Sequence, residues 1–275
     1  MLKVHFKGQR HDLLKSYCEK EPASPVVDES CQLIDETGRS VGYIFKGWDT
    51  GSEVCATVQK MKYATTRRTD GMAQNNDVFG FMPRNAIRCN YCRPSRLSKI
   101  NPKAWNVLMA YAGKISQFIK QTDEKVWQTN NDILSSQVKD CWRIKDSIFT
   151  SGIVNKNNHL RYHVDFGNFV GTWSAMLVYK RDVIGGNLHL PEFDATVKLD
   201  DGDLVIFKSS DYVHGVTPII KTGPYAYRYS IVYYSLEQLN KCLDPKEEME
   251  WYKKWATESF LNKNERLEKL KKSKP

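Results

Sequence analysis

One short stretch near the middle of the chain carries the first chemical signal. In RYHVDFGN (161–168), His163 and Asp165 are separated by a single residue. Run as a strand, this segment sends alternate side chains to the same side, so an imidazole and a carboxylate project together. They are two adjacent ligands for a first-row divalent metal, and a third must come from elsewhere. The chain's histidines are His5, His11, His159, His163, His189 and His214. His214, in DYVHGVTPI, follows the strand-like GDLVIFKSS and precedes a glycine-containing turn. Two histidines and one carboxylate on a β scaffold make a facial triad. Such a triad leaves coordination positions open and suits non-haem Fe(II) oxygenases.

The second signal is Arg228 in YRYSIVYYS, a run that is strongly apolar except for that arginine and Ser230. A charge in such a strand is costly unless paired. A guanidinium fork matches a carboxylate bidentately, and Arg228 and Ser230 share one strand face. A metal-chelating dicarboxylate such as 2-oxoglutarate meets both needs, with its keto-acid end on iron and its far carboxylate on Arg228.

These residues need a rigid frame. From 147 to 235 the texture is of short strands (SIFTSGIVN, LRYHVD, TWSAMLVYK, NLHLP, ATVKLD, DLVIFKS, YRYSIVYYS) divided by turn signals such as NKNN, IGG and KTGP. With no helix between them long enough for a crossover, they predict an antiparallel sandwich or barrel. Upstream, QLIDETGRSVGYIF (32–45) reads as a hairpin. Residues 101–120 read as an amphipathic helix capped by Asn101, with Pro102 at its first position. The segment 60–77 is polar and basic, either a solvated loop or a phosphate-contacting one using Lys60, Lys62, Arg67 and Arg68. The tail, 244–275, is helical and grows basic, and Trp251 and Trp255 can dock its first part.

Composition sets the bounds. The chain has 275 residues, 41% hydrophobic, with a net charge of +9 that favours polyanions, nucleic acid first. No apolar run is long enough to span a membrane, and the start lacks the apolar stretch of a secretory signal. Seven scattered cysteines without such a signal predict reduced thiols in an intracellular protein.

Taken together, FTSGIVNKNNHLRYHVDFGN, GGNLHLPEF, GDLVIFKSSDYVHGVTPI and YRYSIVYYS resemble the TET/JBP family of Fe(II)/2-oxoglutarate dioxygenases, most of all its short phage and fungal members. The resemblance covers roughly the C-terminal two-thirds of the chain. It implies an α+β protein with a double-stranded β-helix (jelly-roll) core, N-terminal supporting helices and a C-terminal helix. It implies one catalytic domain over 1–275: an N-terminal α/β portion (1–145), the core with its site (146–236) and a basic tail (244–275).

Carried over by position, His163, Asp165 and His214 correspond to the iron ligands. Arg228 matches the arginine for the far carboxylate of 2-oxoglutarate, and Ser230 the serine two positions on. His189 falls where the family has a further cosubstrate-contacting histidine. Asn168 falls where an asparagine bonds a flipped base, and Tyr234 where an aromatic residue lies beside it. In FGFMPRNAIR (79–88), Arg84 or Arg88 fits a second cosubstrate arginine. Two departures stand out. Position 236 is Leu where the animal enzymes have a base-contacting His, and their cysteine-rich zinc region is missing. The CNYC at 89–92 offers only two of the four ligands a structural zinc takes.

The implied activity uses Fe(II), 2-oxoglutarate and O2 to oxidise the 5-methyl group of 5-methylcytosine in DNA to hydroxymethyl, and on to formyl or carboxyl products. A methyl group inside a duplex cannot reach a recessed iron, so the base must be flipped out. Tyr162, Phe166, Trp173 and Tyr234 are candidate walls for it. The alternatives are thymine as target, giving 5-hydroxymethyluracil, the same chemistry on RNA, and a catalytically inactive DNA-binding barrel. The partner expected is DNA, with no membrane and no obligate protein partner, and the chain is expected to be a monomer.

Overall fold

The computed structural model describes residues 1–67, 73–84 and 91–272. The N-terminal part contributes strands β1 (Leu2–Lys3), β2 (Val26–Val27), β3 (Cys31–Ile34) and β4 (Ser40–Phe45). Helix α1 (Glu53–Lys60), strands β5 (Ala64–Arg67), β6 (Ala73–Met82) and β7 (Arg93–Pro94), and helices α2 (Leu97–Ile100), α3 (Pro102–Thr122) and α4 (Glu124–Gln137) follow. Then come β8 (Ser151–Lys156), β9 (Ser174–Arg181), β10 (Val183–Gly185), β11 (Leu188–Leu190), β12 (Ala195–Val197) and β13 (Asp203–Phe207). The chain closes with β14 (Gly215–Val216), β15 (Ile219–Lys221), β16 (Tyr227–Tyr234) and helix α5 (Pro245–Lys272).

The expected hairpin forms as β3 and β4, paired antiparallel with a bulge between Leu33 and Ile34. The expected helix forms as α3, and the Asn101 side chain caps it by accepting the Ala104 amide. The expected tail helix forms as α5.

The large sheet runs β1-β3-β4-β13-β9-β16-β8-β6-β5, with β7 beside β6. A smaller sheet runs β14-β11-β12-β2. Strand alternation explains how both faces of the large sheet are covered. On β9, Ala175, Leu177 and Tyr179 join a core with Leu108, Ala112, Ile115 and Ile119 of α3, while Met176 and Val178 join a second core. That second core holds Val205 and Phe207 from the large sheet and Leu188, Leu190, Ala195 and Val197 from the small one. The large sheet is therefore the middle layer, with helices on one face and the small sheet on the other. At about 25 cal/mol per Å2 of apolar surface, burial on this scale is the main force holding the layers together.

The same parity decides where β16 sends its polar groups. Tyr229, Ile231 and Tyr233 bury on the helix side. Arg228, Ser230, Val232 and Tyr234 therefore face the small sheet, toward the interior where the candidate site lies.

Three expectations need correction. The polar stretch 60–77, over its described residues, is not a loop in either sense: Lys60 ends α1, and β5 and β6 pair antiparallel from Ala64↔Asn76 to Arg67↔Ala73. The segment 161–168 is not a regular strand: it makes isolated bridges only at His163, to His214, and at Asn168, to Leu236. The thiols are not all reduced either, because Cys92 and Cys242 form a disulfide with Cα atoms 5.9 Å apart. Their separation of 150 residues hides the pairing in the sequence, and only the return of the chain after β16 brings Cys242 back to Cys92. Cys18, Cys31, Cys55 and Cys141 are free. Among the described residues, no helix is long and apolar enough to cross a membrane.

Candidate metal and cosubstrate site

A cavity of about 550 Å3 opens between the layers, inside the usual range for small-molecule sites. His163, Asp165 and His214 line it, as do Ser230, Asn168 and Tyr234. Ligand atoms of the first three lie within 4.8 Å of one another, and His163 Nε2 is 3.5 Å from Asp165 Oδ1. Donors bound to one metal at about 2.1 Å sit roughly 3 Å apart, so closing the triad on an ion needs only small movements.

Backbone bonds set this geometry. His163 N–H donates to the His214 carbonyl and His214 N–H to the His163 carbonyl, both at 2.9 Å. Asp165 N–H donates to the Ser209 carbonyl at 3.0 Å. Each histidine also has its tautomer set. His163 Nδ1 lies 2.7 Å from the Arg161 carbonyl, and His214 Nδ1 lies 3.0 Å from the Tyr212 carbonyl. A carbonyl can only accept, so each Nδ1 carries the hydrogen and each Nε2 keeps a lone pair for a metal. Burial, reinforced by neighbouring His163, holds the His214 imidazole below its ordinary pKa and hence neutral, the form that ligates. The Tyr162 ring lies against the backbone just after His214: a Cβ on Gly215 would fall 2.6 Å from Tyr162 Cδ1, so only glycine fits there.

Arg228 is 1% exposed. Its Nε donates to the Gly186 carbonyl at 2.7 Å, and its backbone N–H to Asn157 Oδ1. One terminal nitrogen, Nη2, is buried with no partner among the described residues. Desolvation lowers its pKa to about 10, yet it stays charged at neutral pH. A buried, half-used guanidinium calls for an anion. Ser230, two residues along the same face, lines the cavity and marks the path to it. Gly186 is what lets Arg228 lie so close: its φ is +68° and a Cβ there would sit 2.6 Å from Arg228 Cδ. The donor set and this orphaned cation fit Fe(II) with 2-oxoglutarate.

Asn168 is buried and its amide donates to Ser174 and Ser209 hydroxyls, each at 3.3 Å. Tyr234 and Leu236 line the cavity beside it. Phe166 stands at the mouth, 73% exposed.

Other expected residues lie elsewhere. His189 is not among the cavity residues. Its neighbour Leu188 is, and strand alternation turns the imidazole instead to Tyr162, whose hydroxyl lies 2.6 Å from Nδ1. Arg84 is spent on the C-terminal helix, where Nη2 meets Glu248 Oε1 at 2.5 Å and the guanidinium stacks on Trp251. Glu248 is fully buried, so it needs that cation where it stands. Arg88 and Arg68 lie outside the described residues. Trp173 is in the helix-side core rather than the cavity wall.

Two contributors escaped sequence reasoning. Asn155 lines the cavity from β8, directly paired with Ser230. A polar residue on the face opposite Val154 was the available signal. Glu192 is 2% exposed and accepts the Val213 amide, next to His214, and the Arg10 amide of the N-terminal segment. An acid within LPEF hints at burial, but nothing local names its partners.

A His–Asp–His cluster that could hold a metal ion, together with a buried arginine whose Nη2 has no partner among the described residues, is the donor set expected of non-haem iron oxygenases. Residues 83–237 match the family model Tet_JBP, the oxygenase domain of the 2OGFeDO superfamily. This match spans more than half of the chain, and the chain belongs to that family. It is also 25% identical over 221 residues to a protein of Trypanosoma brucei brucei (strain 927/4 GUTat10.1), the bifunctional helicase and thymine dioxygenase JBP2. That alignment covers 76% of this chain and only 20% of the relative, so the chain spans about one fifth of its length. Among solved structures, NgTET1 in complex with 5mC DNA superposes with a TM-score of 0.64 at 14% identity, covering 92% of this chain and 90% of that one. At that identity the likeness speaks for the fold.

Proposed function

We propose that this chain oxidises the 5-methyl group of 5-methylcytosine in DNA, with His163, Asp165 and His214 holding Fe(II). Arg228 and Ser230 bind the far carboxylate of 2-oxoglutarate. With both bound, the centre supplies oxidative decarboxylation of 2-oxoglutarate to succinate and CO2, using O2 and leaving one oxygen atom for the methyl group. The observation that carries this reading is the orphaned Nη2 of Arg228, buried beyond Ser230 on the cavity face of β16. A buried charge of this kind is stable only with its anion, and a dicarboxylate reaching from Arg228 to the triad provides one.

The protein's share of the work is positional. Bonds from His163 and His214 to backbone carbonyls keep both imidazoles aimed. Met176, Leu188, Val216 and Phe207 make an apolar wall that excludes water. Asn168 reads the base edge and Tyr234 lies along its face, while Phe166 guards the mouth. The two-sheet core between β8 and β16 supports the reading of 146–236 as a double-stranded β-helix. The net charge of +9 suits a polyanionic substrate, acting through the chain as one domain and one monomer.

Thymine is the second reading, favoured by the trypanosome relative's thymine dioxygenase activity. Incubation with Fe(II), ascorbate, 2-oxoglutarate and DNA of defined base content, followed by nucleoside mass spectrometry, separates the two. Oxidised cytosine from methylated DNA alone supports the first reading and 5-hydroxymethyluracil the second. Succinate released without any oxidised base would sink both.

A further inference from the structure

An N-terminal strap that lies outside the family-matched residues closes one side of the cavity. Lys15 N–H donates to the Tyr162 carbonyl, and Tyr162 N–H to the Ser16 carbonyl, both at 2.9 Å. Leu13, Leu14 and Cys18 pack on Tyr162, Val164 and Val213, the residues that flank the triad. The Arg10 amide bonds to Glu192, whose other oxygen holds Val213. The strap is thus tied to both metal-bearing segments.

The strap brings one cation, Lys15, to the cavity that Arg161 also lines. Lys15 is exposed and lines the cavity, and its backbone sits at φ +70°, a conformation lysine adopts only when its surroundings impose it. Arg161 lines the same cavity, with its guanidinium 4.7 Å from the centre of the strap's Tyr17 ring. Arg161 Nε is buried without a hydrogen-bond partner. Among the described residues, neither side chain forms an ion pair. Asp165, four residues after Arg161, faces His163, and Asp12, three residues before Lys15, pairs with Arg10.

We infer that Lys15 and Arg161 form a phosphate clamp that grips the backbone of the flipped nucleotide while its base enters the cavity. This inference rests on the nucleic-acid reading above. Its physical basis is simple: a base can pass the mouth, but its own phosphates must stay at the rim. Two unpaired cations there, one stiffened by an aromatic ring, meet phosphate oxygens by charge and hydrogen bonding. A mobile surface lysine would steer DNA. A lysine whose main chain is tied to Tyr162, on the same cavity as a half-buried arginine, offers its charge from a set point of the rim and so can set register.

The test uses the full chain with Fe(II) and 2-oxoglutarate under anaerobic conditions, so that binding is read without turnover. Affinity for a short duplex carrying one 5-methylcytosine is measured by fluorescence anisotropy across a range of NaCl concentrations. For each neutralised phosphate contact, the slope of log K against log salt falls by about 0.9. Lys15→Gln and Arg161→Gln should each lower the slope by about 1, and the double variant by about 2, while Arg161→Lys restores most of its share. Fe(II) affinity should not change, because the carbonyl that orients His163 belongs to the Arg161 backbone. An unchanged slope in the double variant overturns the clamp, as does a loss of DNA affinity that only follows a loss of iron. A wild-type chain that binds duplex with no salt dependence overturns it too. If wild type shows the clamp's salt signature yet oxidises no base, the clamp stands and the substrate reading falls. If the double variant binds and oxidises methylated DNA as wild type does, the clamp falls and the substrate reading stands.

Discussion

The backbones of His163 and His214 exchange two hydrogen bonds, each N–H donating to the other's carbonyl at 2.9 Å. This reciprocal pair clips the loop after β8 to the loop after β13, and it places two imidazoles with ring centres 4.2 Å apart. Neither loop is a regular strand at these positions. The site is therefore held by a few specific bonds rather than by a sheet ladder, and its geometry should respond sharply to the side chains that a metal would bridge.

Asp165→Ala and His214→Ala are expected to leave the fold intact while Fe(II) binding weakens by more than roughly 100-fold, since even supporting partners of metal ligands cost 10–100-fold. Anaerobic Fe(II) titration checks this, with circular dichroism to establish folding. Iron affinity equal to wild type in Asp165→Ala would remove that residue from the site.

Arg228→Met should weaken 2-oxoglutarate binding by about 30-fold or more, the cost of about 2 kcal/mol or above for truncating one partner of a buried charge pair. Thermal unfolding offers a second readout. At about 100 times its Kd, 2-oxoglutarate stabilises a protein by about 2.7 kcal/mol. Wild type should therefore melt several degrees higher with the cosubstrate and iron present, and the variant should show little shift. A full shift in Arg228→Met would mean that the anion binds elsewhere.

Gly186→Ala should act through Arg228. The new Cβ would fall 2.6 Å from Arg228 Cδ at a φ of +68°. Strain of this kind costs about 1–3 kcal/mol, and the arginine must shift to relieve it. Lower thermal stability together with a raised 2-oxoglutarate KM is the expected pair of effects. A stability loss with an unchanged KM would show that Arg228 tolerates the displacement.

Cys242→Ser, or reduction of the wild type, should cost about 2–5 kcal/mol of stability, because the Cys92 link closes a loop of 150 residues. Unfolding in denaturant with and without dithiothreitol measures it. Equal midpoints would place the link's contribution near zero.

Much of the site was legible from residue types and spacing. His163 and Asp165 stand one residue apart and His214 is one of few histidines that could complete them, while Arg228 stands out because a charge inside YRYSIVYYS is expensive anywhere but beside an anion. The alternation of β16 then places Ser230 with it. The helix α3 and the β3–β4 hairpin were equally plain, since capping, turn chemistry and period are local properties.

Proximity across the sequence is a different matter, because it depends on how distant segments return to one another. His189 and Arg84 have the right residue types, but one spends its nitrogen on Tyr162 and the other its charge on Glu248. Nothing near either residue in sequence announces those partners. The Cys92–Cys242 link, the pairing of Asn155 with Ser230 and the strap carrying Lys15 to the rim share that origin. The sequence by itself determined which groups can do chemistry and which face of a strand they take, because those follow from side-chain chemistry and a two-residue period. Tertiary structure alone decided which of them meet, because burying two sheets and a helical layer together fixes contacts that no local pattern encodes.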